Sequence, residues 1–183
     1  IFAAGNEAKA GADYPGAYNE FLCVTAYGPD GLPTSYTNYN TGCNVAAPGG
    51  EYAPVTWADS GCVVSTVPTN LFKTGYAKMQ GTSMACPHVS GIAALAISYA
   101  MDNNIVLTLP ELKDIIVSSV NDINASLTGF KDHVEGGQLN LSNYNKKMGT
   151  GLIDAYRVLM AVRGTKCIPI PLGESVIIDI NNY

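Results

Sequence analysis

A chain of 183 residues, 47% hydrophobic and only 14% charged, can bury one substantial core, and that composition excludes a disordered segment or a coiled coil. Its net charge of −5, with no basic run, argues against nucleic acid or an anionic membrane as partner. The 19 glycines and 10 prolines point to tight connections between short elements, while five cysteines in no zinc-like spacing leave at least one thiol unpaired.

Taken in order, the chain opens without methionine or signal peptide on Ile1-Phe2-Ala3-Ala4, an apolar run expected to be a buried parallel strand inside a longer protein. Gly5-Asn6 ends it as a turn would. Phe21–Tyr27, Cys43–Ala47 and Gly61–Val67 read as three further strands, each bounded by Gly, Pro or Asn. Cys43 and Cys62 flank a surface excursion and are candidates for a bridge; buried free thiols are the alternative that composition favours. The polar loop between Gly50 and Ser60 carries Trp57, expected to cap the core rather than touch a substrate.

Tyr76–Gln80 leads into Gly81-Thr82-Ser83-Met84-Ala85-Cys86-Pro87-His88-Val89-Ser90-Gly91. Pro87 is tolerated only in the first turn of a helix, which places Ser83 at a helix start, beside unpaired N–H groups and the positive end of the dipole. Such a place suits a nucleophile whose attack creates an oxyanion. The helix, expected to run to about Met101, is apolar on nearly every face and so expected to be buried all round. Its apolar stretch Val89–Met101 looks too short for a bilayer and is broken by Ser90, Gly91 and Ser98. Thr108-Leu109-Pro110-Glu111 is a capping box that opens a second helix reaching about Val120. Val120–Lys147 is expected to be a surface loop or hairpin, and a last helix follows Gly149-Thr150-Gly151-Leu152-Ile153-Asp154-Ala155 and ends near Arg163. Residues 1–164 then form the domain. Residues 165–183, with the non-helical Cys167–Gly173 and the alternating Glu174–Ile180, read as a tail opening a following β module.

The segment from Gly81 to Gly91 resembles the serine motif of subtilisin-like proteases with every fixed position present, a match far more specific than a bare Gly-x-Ser-x-Gly. A capping serine ahead of a buried helix would explain neither the two glycines nor His88. Ala3-Ala4-Gly5-Asn6, Tyr14-Pro15-Gly16, Asn44–Gly49 and Gly149–Ala155 resemble further segments of that family, so the likeness covers about Ile1–Gly164, the C-terminal half or so of a catalytic domain. It implies an α/β fold with a mostly parallel, doubly wound sheet and flanking helices, incomplete at its N-terminal side. It implies Ser83 as nucleophile, the Asn6 side chain and the Ser83 N–H as oxyanion donors, and a structural role for His88. A cis Tyr14–Pro15 bond is expected, with Asp13 near the floor and Glu7 at the rim of the primary specificity pocket. Two carboxylates there would favour a basic P1 side chain, ordinary solvated loop charges being the other reading. No cofactor or metal is expected. The carbonyls of Gly16, Tyr18 and Phe21 offer at most a weak cation site, since Gly42 and Asn44 stand where relatives often carry carboxylates.

A serine needs an imidazole to take its proton and a carboxylate to orient that imidazole. In the family's order both precede the serine, and the few residues before Asn6 hold neither; no pattern recommends His133 instead. The intact parent is therefore expected to hydrolyse peptide bonds in polypeptide substrates, secreted or held at the cell envelope. The chain alone is expected to be essentially inactive and to self-associate through an exposed sheet edge. The alternative is a non-catalytic, protease-like scaffold that binds protein partners.

Overall fold

The computed structural model describes residues 1–164 apart from 55, 57, 134 and 135; Trp57, Cys167 and the whole tail expected at 165–183 lie outside the described residues. The chain forms strands β1 (Phe2–Ala3), β2 (Cys23–Tyr27) and β3 (Val45–Pro48), then the hairpin strands β4 (Val63–Thr66) and β5 (Tyr76–Met79). Helices α1 (Thr82–Asp102) and α2 (Leu109–Ser118) follow, then β6 (Val120–Asn121), the hairpin of β7 (Phe130–Asp132) and β8 (Gln138–Asn140), β9 (Leu152–Ile153) and helix α3 (Ala155–Val162). The central sheet has the order β1-β2-β3-β9-β6, parallel throughout except for β6. An α/β fold with a mostly parallel sheet is thus what the chain adopts.

The sheet is buried where β2 and β3 lie side by side, except at Pro48, and their residues alternate between two cores. Val24, Ala26, Val45 and Ala47 face the helices. Ala46 and Tyr27 face the other way, against Leu127, Tyr144 and Met148, where short 3-10 turns cover the sheet. Against the first face α1 lays a stripe of small side chains, Ala85, Val89, Ala93, Ala96 and Ala100, all buried at spacings of three and four residues. Leu112 and Ile116 of α2 and Val158 and Val162 of α3 close this core.

The helices start where their sequences say. Thr108 and Glu111 form the expected capping box, the Glu111 carboxylate accepting from the Thr108 N–H at 2.8 Å. Asp154 caps α3 by accepting from the Arg157 N–H at 3.1 Å. The hairpin of β7 and β8 is pinned by Lys131, whose ammonium lies 2.5 Å from Glu51 and 2.8 Å from Asp30 and donates to the Pro33 carbonyl at 3.1 Å.

The expectations for α1 and β1 need correction. Among the described residues helix α1 is buried on one face only: Leu95 is 55% and Met101 72% exposed. At 21 residues it is long and apolar enough to cross a bilayer by length and composition alone, yet its small-residue stripe is spent on the sheet. β1 is a half-buried edge strand, not an interior one. Cys43 and Cys62 are free thiols, as are Cys23 and Cys86, which is the reading that composition favoured over a bridge. The strand expected at Gly61–Val67 is present as β4, Val63–Thr66, and pairs antiparallel with β5 in a two-stranded sheet of its own.

Candidate active site

The site forms where the end of β1 meets the start of α1. Gly5, at φ 106°, turns the chain out of the sheet and donates its N–H to the Thr82 hydroxyl at 3.2 Å. Asn6 Oδ1 accepts from the Thr82 N–H and from the Thr82 hydroxyl, each at 2.9 Å. Both partners are donors, so the oxygen end of the amide is fixed against Thr82 and the Nδ2 end is turned away from it. Thr82 is fully buried, and its hydroxyl passes one hydrogen bond on to the next group: it receives from Gly5 and gives to Asn6.

Helix α1 is capped by Gly81, whose carbonyl accepts from the Met84 and Ala85 N–H groups at 2.9 and 3.2 Å. The Gly81 N–H is shared between the Gly49 carbonyl and the Tyr36 hydroxyl, 3.0 Å to each, and that hydroxyl donates to the Gly50 carbonyl at 2.5 Å. Among the described residues the Ser83 N–H has no hydrogen-bond partner. A methyl carbon placed on Gly81 would stand 3.6 Å from the Ser83 nitrogen and 3.7 Å from Asn6 Nδ2. The Ser83 nitrogen and Asn6 Nδ2, with Met84 Sδ at 3.6 Å, thus border one small space beside Gly81 that a side chain at this position would enter. Two neutral N–H donors at a helix N-terminus are suited to hold an anionic oxygen.

Ser83 itself is exposed, on a groove of about 290 Å³ that it shares with Val63, Val64 and Ser65 of β4 and with Pro87 and His88. His88 Nδ1 lies 2.8 Å from the Met84 carbonyl and so carries the proton of that hydrogen bond, which ties the ring back along its own helix. His133 sits in the turn between β7 and β8, its backbone paired with Gly136 and Gly137.

Asp13 and Glu7 lie together on the segment that follows Asn6. The Tyr14–Pro15 bond is cis, as expected. Buried Asn38 sends its amide N–H groups to the Ala4 carbonyl at 3.0 Å and to Glu7 at 2.7 Å, and reaches Asp13 at 3.5 Å. A methyl carbon on Gly5 would collide with Asp13 at 2.3 Å and Glu7 at 2.7 Å, so both carboxylates meet beside the residue that precedes Asn6. Lys9 joins them, its ammonium 2.7 Å from Asp13 and 3.9 Å from Glu7. The hydrogen bond from Lys9 holds the Asp13 carboxyl below the ordinary carboxylate range, and the same bond raises the Lys9 ammonium. Of the carbonyls considered for a cation, that of Tyr18 already accepts from the Phe21 N–H, and among the described residues no three His, Cys, Asp or Glu side chains cluster. Backbone carbonyls without a charged oxygen are a poor donor set for a hard cation.

Of the residues that sequence reading singled out, the structure places Asn6 near Ser83 beside Gly81, and Asp13 with Glu7 beside Gly5. Sequence reading missed Thr82, Asn38, Lys9 and Tyr36; only Thr82, a fixed position of the serine motif, carried a signal.

A serine at the mouth of a helix laid on a mostly parallel sheet, facing an asparagine from the end of the edge strand, defines the subtilisin-like class. Residues 1–151 match the profile described as the subtilase family, and the chain belongs to that family. It is 32% identical over 168 residues, 90% of this chain, to the extracellular basic protease of Dichelobacter nodosus, and 30% identical over 155 residues, 85% of this chain, to halolysin of Haloferax mediterranei. In each case it spans 23% of the relative's length. Among solved structures it resembles a protease of Pseudoalteromonas arctica with a TM-score of 0.62 and 27% identity, covering 87% of this chain and 41% of that one. A lanthipeptide protease shares the fold with a TM-score of 0.67 at 22% identity, covering 88% of this chain and half of the other.

Proposed function

We propose that this chain forms the nucleophile-bearing part of a serine endopeptidase that cleaves peptide bonds through an acyl-enzyme on Ser83. The observation that carries the reading is the convergence of Asn6 Nδ2 and the Ser83 N–H on one open space beside the serine. Ser83 Oγ bonds to the scissile carbonyl carbon, the carbonyl oxygen becomes the oxyanion between the two donors, and the hydroxyl proton leaves to an imidazole. Thr82 keeps Asn6 from presenting its oxygen to that anion. Collapse then expels the amine and leaves the ester, which water hydrolyses.

Neither histidine recommends itself as the base. His88 Nδ1 is committed to the Met84 carbonyl, and His133 belongs to a hairpin turn. The aspartate and histidine of the triad are therefore assigned to a part of the protein outside this chain. The chain alone keeps at most the residual catalysis of a bare oxyanion site, about 10³–10⁴ over water. Polypeptides are the substrates, and no cofactor is called for. Secretion is supported by the extracellular relative from Dichelobacter nodosus, a place at the cell envelope being the alternative.

The test is fluorophosphonate labelling of the folded full-length protein. Uptake at Ser83, abolished in Ser83→Ala and slowed about 10²–10³-fold in Asn6→Ala, is the expected result. Folded full-length protein that takes no label would instead be a non-catalytic scaffold for protein partners.

A further inference from the structure

Two carboxylates beside the oxyanion amide would ordinarily make a site for a substrate's basic side chain, but here a third group is already in place. We propose that Lys9 is a built-in counterion of the specificity pocket, occupying with its own ammonium the position that a P1 Lys or Arg would take and so suppressing a preference for basic residues. The inference rests on the protease reading and concerns the substrate class of that same site.

The geometry that supports it is local and specific. Glu7, Lys9 and Asp13 lie on one excursion after Asn6, and Ala8 turns the chain in a left-handed conformation, φ 53°, between the first two. That excursion is stapled at its base: the Ala8 N–H donates to the Tyr36 carbonyl at 2.9 Å, and the Glu7 and Lys9 N–H groups share Asn38 Oδ1 at 3.0 and 3.3 Å. The Lys9 ammonium then reaches Asp13 at 2.7 Å and Glu7 at 3.9 Å, which is the contact a substrate ammonium would have to make. With Lys9 present the cluster carries one net negative charge in place of two. A basic P1 side chain can enter only by exchanging one ammonium for another, with little net electrostatic gain. An apolar side chain needs no such exchange. The Lys9 side chain is 51% exposed, so it is displaceable and biases the site without sealing it.

The experiment compares kcat/KM for peptides that differ only in Lys or Leu at P1, in the full-length protein. Lys9→Met should raise the Lys-over-Leu ratio about fivefold, the size of a strong exposed ion pair. Lys9→Arg should keep the wild-type ratio, and adding Asp13→Asn to Lys9→Met should cancel the rise. An unchanged ratio in Lys9→Met, with Ser83 still taking up fluorophosphonate, overturns the inference and leaves the protease reading standing. A rise that survives Asp13→Asn overturns it as well, because the effect would not run through the carboxylates. If wild-type Ser83 takes no probe, the protease reading fails first and the inference goes with it.

Discussion

Glycine is required at position 81 for two separate reasons. Its φ of 147° is one that side-chain-bearing residues rarely adopt, and a methyl group there would fill the space between the Ser83 nitrogen and Asn6 Nδ2. Gly81→Ala should therefore slow probe uptake by Ser83 about a hundredfold, the cost of losing an oxyanion donor. An unaffected rate would mean that the anion binds elsewhere. Thr82 makes a second prediction at this scale. Thr82→Val keeps the shape and the N–H to Asn6 but leaves the Gly5 N–H without its acceptor, and about a tenfold loss of labelling is expected, restored by Thr82→Ser. Failure of serine to rescue would assign the loss to packing. Ser83 stood out because a long motif names it, and Asn6 only because the short Ala3–Asn6 segment resembles the same family. The direction of the Asn6 amide was not legible, since it is set by Thr82, 76 residues away in sequence. The same holds for Lys9: its spacing from Asp13 is visible, but the backward turn at Ala8 that brings the charges together is a tertiary fact.

Among the elements, the hairpin of β7 and β8 depends on one cation. Lys131 and Glu51 are nearly enclosed, with side chains 9% and 6% exposed, and Glu51 also accepts from the Ser35 N–H at 2.6 Å. Lys131→Met would leave Glu51 buried without its counter-charge, and a loss of about 3 kcal/mol in urea unfolding is expected. A loss below about 0.5 kcal/mol would show that Glu51 takes up a proton or a water instead. The start of α2 gives a pH-dependent counterpart. Thr108→Ala should cost about 1 kcal/mol near neutrality. The hydrogen bond from the Thr108 hydroxyl holds the Glu111 carboxyl below its ordinary range. A depressed folded pKa stabilises above the unfolded carboxylate range and is lost as pH falls through the folded value. The gap between wild type and Thr108→Ala should thus narrow on acidification below about pH 4. This helix start could be read directly, because a capping box is a contact between near neighbours. The pairing of β4 with β5, in contrast, was not legible, because it joins segments separated by a loop and Tyr76–Met79 carried no strand signal of its own.

At the scale of the molecule, α1 shows what a hydrophobic pattern cannot say. A helix apolar on every side implies that every side is to be covered, not that this chain supplies the cover. The inner stripe meets the sheet, while Leu95, Ile97 and Met101 remain exposed. Close to the edge strand, Phe21, Leu22, Leu109, Leu112 and Ile116 line an apolar groove of about 370 Å³. Along β1 the Phe2 and Ala4 N–H groups turn inward to the Leu22 and Val24 carbonyls, which leaves Ala3 to face outward from the edge. An open edge beside an uncovered apolar face invites pairing, since both deficits are met by one contact. The chain on its own should therefore sediment as dimers or larger species at tens of micromolar. Placing lysines at Leu95 and Met101 should return it to monomer without loss of helical circular dichroism, because neither side chain supports the inner core. A wild-type chain that stays monomeric would mean that solvent satisfies the edge. A double variant that still associates would shift the contact from the helix face to the strand. The same surface decides the activity prediction: association of identical copies brings no imidazole to Ser83, so the assembled chain should label no faster than the monomer. A rise in labelling with concentration would show that one copy lends a base to another.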